Sequence, residues 1–232
     1  MRSTSPISTS SLLAAALVVL AGGPGAAAHD TDAEDADARL CRNGLFVASP
    51  RFSLAEIVGE DRAYLEKDEG SCPEEGDCAR KSYLVAGDHV VVGKLRQGHA
   101  CVFFAGEHAD TAGYLPLDRL QAVAIDTAPM HSAWQGRWSA HGNPDVEIVL
   151  RDGTLHISGL ATWPGPQPSE EFPSIQTGEL DGPLAVHGNR GHYDDGWCRA
   201  DLALLGEFLV ISDNMRCGGV NVTFSSILRR TD

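Results

Sequence analysis

Six cysteines limit this chain more than any other feature. Cys41, Cys72, Cys78 and Cys101 crowd the first half, a long cysteine-free stretch follows, and Cys198 and Cys217 lie near the end. An even number of cysteines in an exported chain reads as a disulfide framework. The split predicts two bridges in an N-terminal half and one, Cys198 with Cys217, in a C-terminal half. The first four cysteines allow three pairings. Pro73, Gly76 and the acidic residues between Cys72 and Cys78 have the character of a hairpin tip, which favours Cys72 with Cys78 and leaves Cys41 with Cys101. No CxxC or HxxxH spacing points to zinc, so neither a metal nor another cofactor is expected.

Export is expected from residues 1–28. Arg2 is followed by an apolar run from Leu12 to Leu20 and by a small-residue tract ending at Ala26-Ala27-Ala28, the pattern of a secretory signal peptide. The run is too short to span a bilayer, and no cysteine stands directly after it for a lipid, so no membrane anchor is expected. The mature chain is expected to begin near His29 in the periplasm or outside the cell.

The formal net charge is -14. Such a surface repels phosphate backbones, which argues against nucleic acid and anionic membranes as partners and in favour of cationic ones. Residues 29–39 are Asp, Glu and Ala with little to bury and read as a disordered acidic leader.

From residue 40 to 124 the apolar segments are short, rich in β-branched and aromatic residues, and separated by Gly or Asp turns: Tyr64 to Glu66, Ser82 to Val85, His89 to Gly93 and Ala100 to Phe104. Ser53 to Ile57, with Ser53 as a cap and Glu56 three residues on, predicts a single helical turn. Residues 125–132 form a small-residue linker. From 133 to 232 the strand signals are Val146 to Leu150, Thr154 to Ser158, Gly178 to Leu184, Trp197 to Leu204, Phe208 to Ser212 and Val220 to Leu228. Asp152-Gly153 between the first two is the strongest hairpin signal. The whole predicts an all-β protein whose second unit is a small antiparallel barrel or sandwich, closure being favoured because it removes exposed edges.

Lys81-Ser-Tyr-Leu-Val-Ala-Gly-Asp-His-Val-Val-Val, Ala100-Cys-Val-Phe-Phe and Gly113-Tyr-Leu-Pro-Leu-Asp-Arg-Leu resemble the bacterial SH3-like barrel over about residues 60–122. The resemblance implies an N-terminal SH3-like barrel with a peptide-binding platform, and Tyr114 stands where that family carries Trp. The opening Trp134-Gln-Gly-Arg-Trp138 and the closing Asp213-Asn-x-x-Cys-Gly-Gly-Val-Asn-Val-Thr-Phe before Arg229-Arg230 resemble the C-terminal domain of uncharacterised exported proteobacterial proteins that also carry the SH3-like domain. The same Gly-x-Trp start and late Arg are similar to lipocalin-like barrels, where such residues plug the barrel base. Neither resemblance implies an activity.

No Gly-x-Ser-x-Gly is present and every cysteine is better used in a bridge, so nucleophilic catalysis is not indicated. The candidates for ligand binding are Tyr114, as an exposed aromatic groove; Trp163, set in Ala-Thr-Trp-Pro-Gly-Pro where burial is hard; and Asp213, Asn214 and Asn221, on one rim of the barrel. For these three the competing reading is a tight bridged turn, since Asn and Gly accept positive φ. Trp134 and Trp138 read as core. These features predict a non-enzymatic, disulfide-stabilised binding or adaptor protein of the bacterial envelope, recognising a cell-wall peptide, a glycan or a cationic protein such as a lysozyme. The alternative is a periplasmic enzyme or metal-binding protein using His187-Gly-Asn-Arg-Gly-His192-Tyr-Asp194-Asp195, which brings imidazoles and carboxylates into what reads as a glycine-rich loop.

Overall fold

A computed structural model describes residues 40–42, 46–48, 51–141, 144–165 and 174–231. The signal peptide and acidic leader assigned above, and most of the proline-rich loop after Trp163, lie outside these residues. The protein is all-β, built from a seven-stranded and a nine-stranded antiparallel sheet.

The first sheet comprises β1 (Ser53–Ile57), β2 (Ala63–Glu66), β3 (Ala79–Leu84), β4 (His89–Arg96), β5 (His99–Phe104), β6 (Thr111–Pro116) and β7 (Leu120–Val123), in the order β3-β2-β6-β5-β4-β1-β7. Ser53 to Ile57 is therefore a strand and not the helical turn its capping pattern predicts. It pairs with β4 on one side and β7 on the other. One isolated turn makes few hydrogen bonds for the entropy it costs, so pairing on both sides outweighs the local helix signal.

The second sheet comprises β8 (Gly136–Ser139), β9 (Asp145–Arg151), β10 (Thr154–Pro164), β11 (Ile175–Pro183), β12 (Ala185–His187), β13 (Arg190–Asp194), β14 (Arg199–Leu205), β15 (Phe208–Asp213) and β16 (Ser226–Arg230). Every sheet neighbour is also a sequence neighbour except β8 and β16, which pair and bring the two ends of the meander together. The result is a nearly closed barrel. Its seam lies between β11 and β12, joined through Leu184, and the Tyr193 hydroxyl on β13 reaches across it to the backbone of Asp181 on β11 at 3.4 Å. Asp152 and Gly153 form the predicted turn, with φ of 50° and 81° and Arg151 opposite Thr154. Two positive φ values define the hairpin turn that matches strand twist. The reading of Val220 to Leu228 as one strand needs correction. Residues 220–225 are turn and irregular backbone, held by Asp213, and β16 starts at Ser226.

Side chains fill the barrel. Trp134, Trp138, Ile148, Ile157, Leu209 and Phe224 are fully buried. The Gly-x-Trp opening and the late arginine meet at one end. Arg230 places its guanidinium 4.3 Å from the Trp138 ring and donates to the Gln135 and Ala133 carbonyls, while Trp138 Nε1 donates to the Trp134 carbonyl at 3.1 Å.

The two sheets share a core. Ala203, Leu205, Phe208, Val210 and Ile227 project outward from β14, β15 and β16 and are buried in one cluster with Phe46 and Val47 and with Leu54, Val91, Phe103 and Tyr114 of the first sheet. Residues 202–205 and 208–211 are uninterruptedly apolar because alternate side chains serve the barrel interior and this second interface. The segment read as a linker takes part too. Ile125 packs on the shared core, and the Thr127 carbonyl accepts a hydrogen bond from the Asn189 N–H at 3.2 Å. His141 Nε2 lies 2.9 Å from the Gly106 carbonyl, adding a polar contact at the edge of the junction.

All three disulfides follow the favoured pairing: Cys41 with Cys101, Cys72 with Cys78 and Cys198 with Cys217. Three bridges fit an oxidising compartment. Among the described residues no helix is long and apolar enough to cross a membrane.

Candidate functional site

The turn after β13 begins with two aspartates that cap backbone amides. Asp194 Oδ1 accepts from the Gly196 N–H at 2.7 Å, and Asp195 Oδ1 accepts from the N–H groups of Trp197 at 2.8 Å and Cys198 at 2.7 Å. Asn214 clamps the other side. Its Oδ1 accepts from the N–H groups of Arg199 and Arg216, each at 3.2 Å, and its Nδ2 donates to the Trp197 carbonyl at 2.9 Å. The Cys198–Cys217 bridge ties the two turns together. Gly178 on β11 sits against them so closely that a Cβ there would meet the Cys217 carbonyl at 2.3 Å.

The clamped backbone presents a side chain that it does not bury. Trp197 is 68% exposed, with Met215 at 61% and Val220 at 70% in the flanking turns. Arg216 holds its guanidinium 5.4 Å from the Trp197 ring. An indole on a backbone fixed by a disulfide and hydrogen bonds from both sides loses little entropy on binding, the property that makes exposed aromatics effective anchors. The Asn214 side chain, at the turn Asp-Asn-x-x-Cys, was the sequence signal for this clamp. The strand pattern of the sequence takes in Trp197 itself, yet β14 begins two residues later, at Arg199.

The other sequence candidates fall differently. Asp213 is a structural organiser: it accepts from the Phe224 N–H at 2.6 Å, the Thr223 hydroxyl at 2.9 Å, the Met215 N–H at 3.0 Å and the Ser225 hydroxyl at 3.1 Å. Asn221 is exposed and adopts φ of 63°, a turn role. Tyr114 is fully buried in the shared core, which corrects its reading as an exposed groove. Trp163 belongs to β10 opposite Gln176 and packs partly against the barrel core, so it is half-buried and not a free loop aromatic.

The His187 to Asp195 segment is a correction as well. It is the β12–β13 hairpin, in which alternation sends Gly191 and Tyr193 inward and leaves His187, His192 and Asp194 on the outer face. His192 Nδ1 lies 2.7 Å from Asp201 Oδ1, while Asp195 is committed to the Trp197 turn. Among the described residues no three His, Cys, Asp or Glu side chains converge as metal ligands. A cleft of about 420 Å³ in the first sheet is lined by Arg42, Lys67, Arg80 and four carboxylates; two of them, Asp68 and Glu66, are met by Arg42 at 3.0 Å and His99 at 3.2 Å.

Hydrogen bonds from the Trp197 and Cys198 amides hold the Asp195 carboxyl below its ordinary value. A depressed carboxylate pKa contributes stability that is present above the unfolded value and is lost as pH falls through the folded one. The turn is therefore expected to loosen only in acid, below the usual aspartate range. The Trp197 contribution to the emission, taken as the difference between the wild type and Trp197→Phe and followed from neutral pH downward, should report that transition, and Asp195→Asn should remove it. A Trp197 signal that changes between pH 6 and 8 instead would assign control to a histidine.

Comparison with protein-family models, with curated proteins and with solved structures finds no match for this chain.

Proposed function

We propose that this is an exported, disulfide-stabilised binding protein of the bacterial envelope, and that the rim around Cys198–Cys217 engages a protein partner with a basic surface. The observation that carries the reading is Trp197, exposed on a backbone that both flanking turns immobilise. Met215, next to the Asn214 that holds the Trp197 carbonyl, adds apolar surface, suited to a protein more than to a sugar. The net charge of -14 favours a cationic partner, of which a lysozyme is one example. Cleavage after Ala28, a periplasmic location and the SH3-like character of residues 60–122 belong to the same proposal, supported by the signal-like N-terminus and the bridges.

Affinity capture from the native envelope tests it, with the wild-type chain and Trp197→Ala as baits. Trp197→Ala is expected to leave the thermal midpoint unchanged and weaken the captured complex by about 30-fold or more, the scale of an interface hot spot. Association of the wild type should slow as ionic strength rises to about 0.15 M, where electrostatic reach falls to about 8 Å. A partner that Trp197→Ala retains equally well would refute the assignment, and a ligand lost on chelation or in His192→Ala would make the metal-dependent alternative the better one.

A further inference from the structure

The face of the first sheet that packs on the barrel continues past it. Tyr114 on β6 is buried in the shared core, and Glu66 on β2 is its register partner. Strand alternation puts Tyr64 on the same face as Glu66, and Tyr64 is opposite Tyr83 on β3. Here the shared core ends. Tyr64 and Tyr83 are 45% and 42% exposed, with ring centroids 5.7 Å apart in an edge arrangement. Arg62, two residues before Tyr64, lays its guanidinium 4.2 Å from the Tyr83 ring, and Lys81, two residues before Tyr83, is exposed on the same strand.

We propose that this uncovered β2–β3 face docks an extended acidic segment of a partner polypeptide. Three observations carry the inference. The patch is continuous with a face that already serves as an interface between the two sheets. Its charge opposes that of the chain: the molecule is at -14, yet the charged side chains next to Tyr83 are Arg62, over its ring, and Lys81, exposed on β3, and β3 bears no carboxylate. Finally, β3 ends the sheet with five of its six residues exposed. Cations on an edge strand ordinarily repel other strands, but two exposed tyrosines add nothing to that protection. Tyrosines supply contact area at little entropic cost, and the adjoining cations select negative charge. One face of Tyr83 is already occupied by Arg62, which leaves less ring for a stacked sugar than for a peptide lying along the strand. This surface is separate from the Trp197 rim, and neither reading depends on the other.

The test uses the full exported chain, labelled with ¹⁵N and titrated with a soluble synthetic peptide of alternating Glu and Thr, against the same peptide with Lys for Glu. Shift changes are expected for residues 62–66 and 79–85 with the acidic peptide only. Lys81→Glu should weaken binding by about tenfold, Lys81→Gln by less, and Tyr83→Ala should abolish the shifts while the other resonances stay in place. The proposal is overturned if both peptides bind alike, if the acidic peptide shifts nothing at millimolar concentration, if Lys81→Glu binds as the wild type does, or if oligogalacturonate perturbs these residues where the peptide does not.

Discussion

Trp138→Ala is expected to destabilise the protein by about 3 to 5 kcal/mol, the range for deleting a fully buried large aromatic side chain. Trp138 has no exposed surface, donates to the Trp134 carbonyl and lies beneath the Arg230 guanidinium. Its loss opens a void at the barrel end and removes the ring that Arg230 stacks on. Because the sheets share a core, the loss should not stay in the barrel. All four tryptophans lie in the second sheet and its flanking turns, at positions 134, 138, 163 and 197, so their fluorescence follows that unit while far-ultraviolet circular dichroism follows both. The two signals should give coincident urea transitions, displaced together in Trp138→Ala. Trp163→Ala, at a half-buried position, should cost about 1 to 2 kcal/mol. Separate transitions for the two probes would contradict a common core, and equal costs at the two tryptophans would contradict their different burial.

Replacing Cys41 and Cys101 together by Ala should cost about 4 kcal/mol, the largest loss among the bridges. That bridge spans 60 residues, against 19 for Cys198–Cys217 and 6 for Cys72–Cys78. A longer closed loop restricts the unfolded chain more, and loop-closure entropy puts the three near 4, 3 and 2 kcal/mol, as rough figures. Position reinforces the order. Cys41 and Cys101 are 2% and 1% exposed inside the shared core, where they tie the start of the described chain to β5. Urea midpoints of the three double-Ala variants measure the ranking. A greater loss from the Cys72–Cys78 pair than from Cys41–Cys101 would mean that the unfolded chain is already compact enough to cancel the loop term.

Local pattern carried a good deal of this. The Asp152-Gly153 turn was readable because both positions need positive φ, and the bridge at Cys72 because Pro73 and Gly76 shape a short loop. Trp134 and Trp138 were readable as core. The candidate site was half legible: Asn214 and the Cys198–Cys217 bridge marked a constrained turn, but nothing in the run around Trp197 distinguishes an indole facing water from one facing a barrel.

What the sequence determined by itself is therefore what depends on neighbours along the chain: the all-β class, the hairpins and, through the distribution of cysteines, the bridges. Tertiary structure decided what depends on which face of a strand is covered. Ser53 to Ile57 became a strand because partners lay on both sides, and Tyr114 was buried because it lies within the core that the two sheets share. Tyr64 and Tyr83, on the same face, were left in water because the shared core does not extend to them. A strand's period of two tells which residues share a face, and the continuous apolar runs at 202–205 and 208–211 tell that both faces are covered. Neither tells which other element does the covering, because burial is a property of the assembled pair.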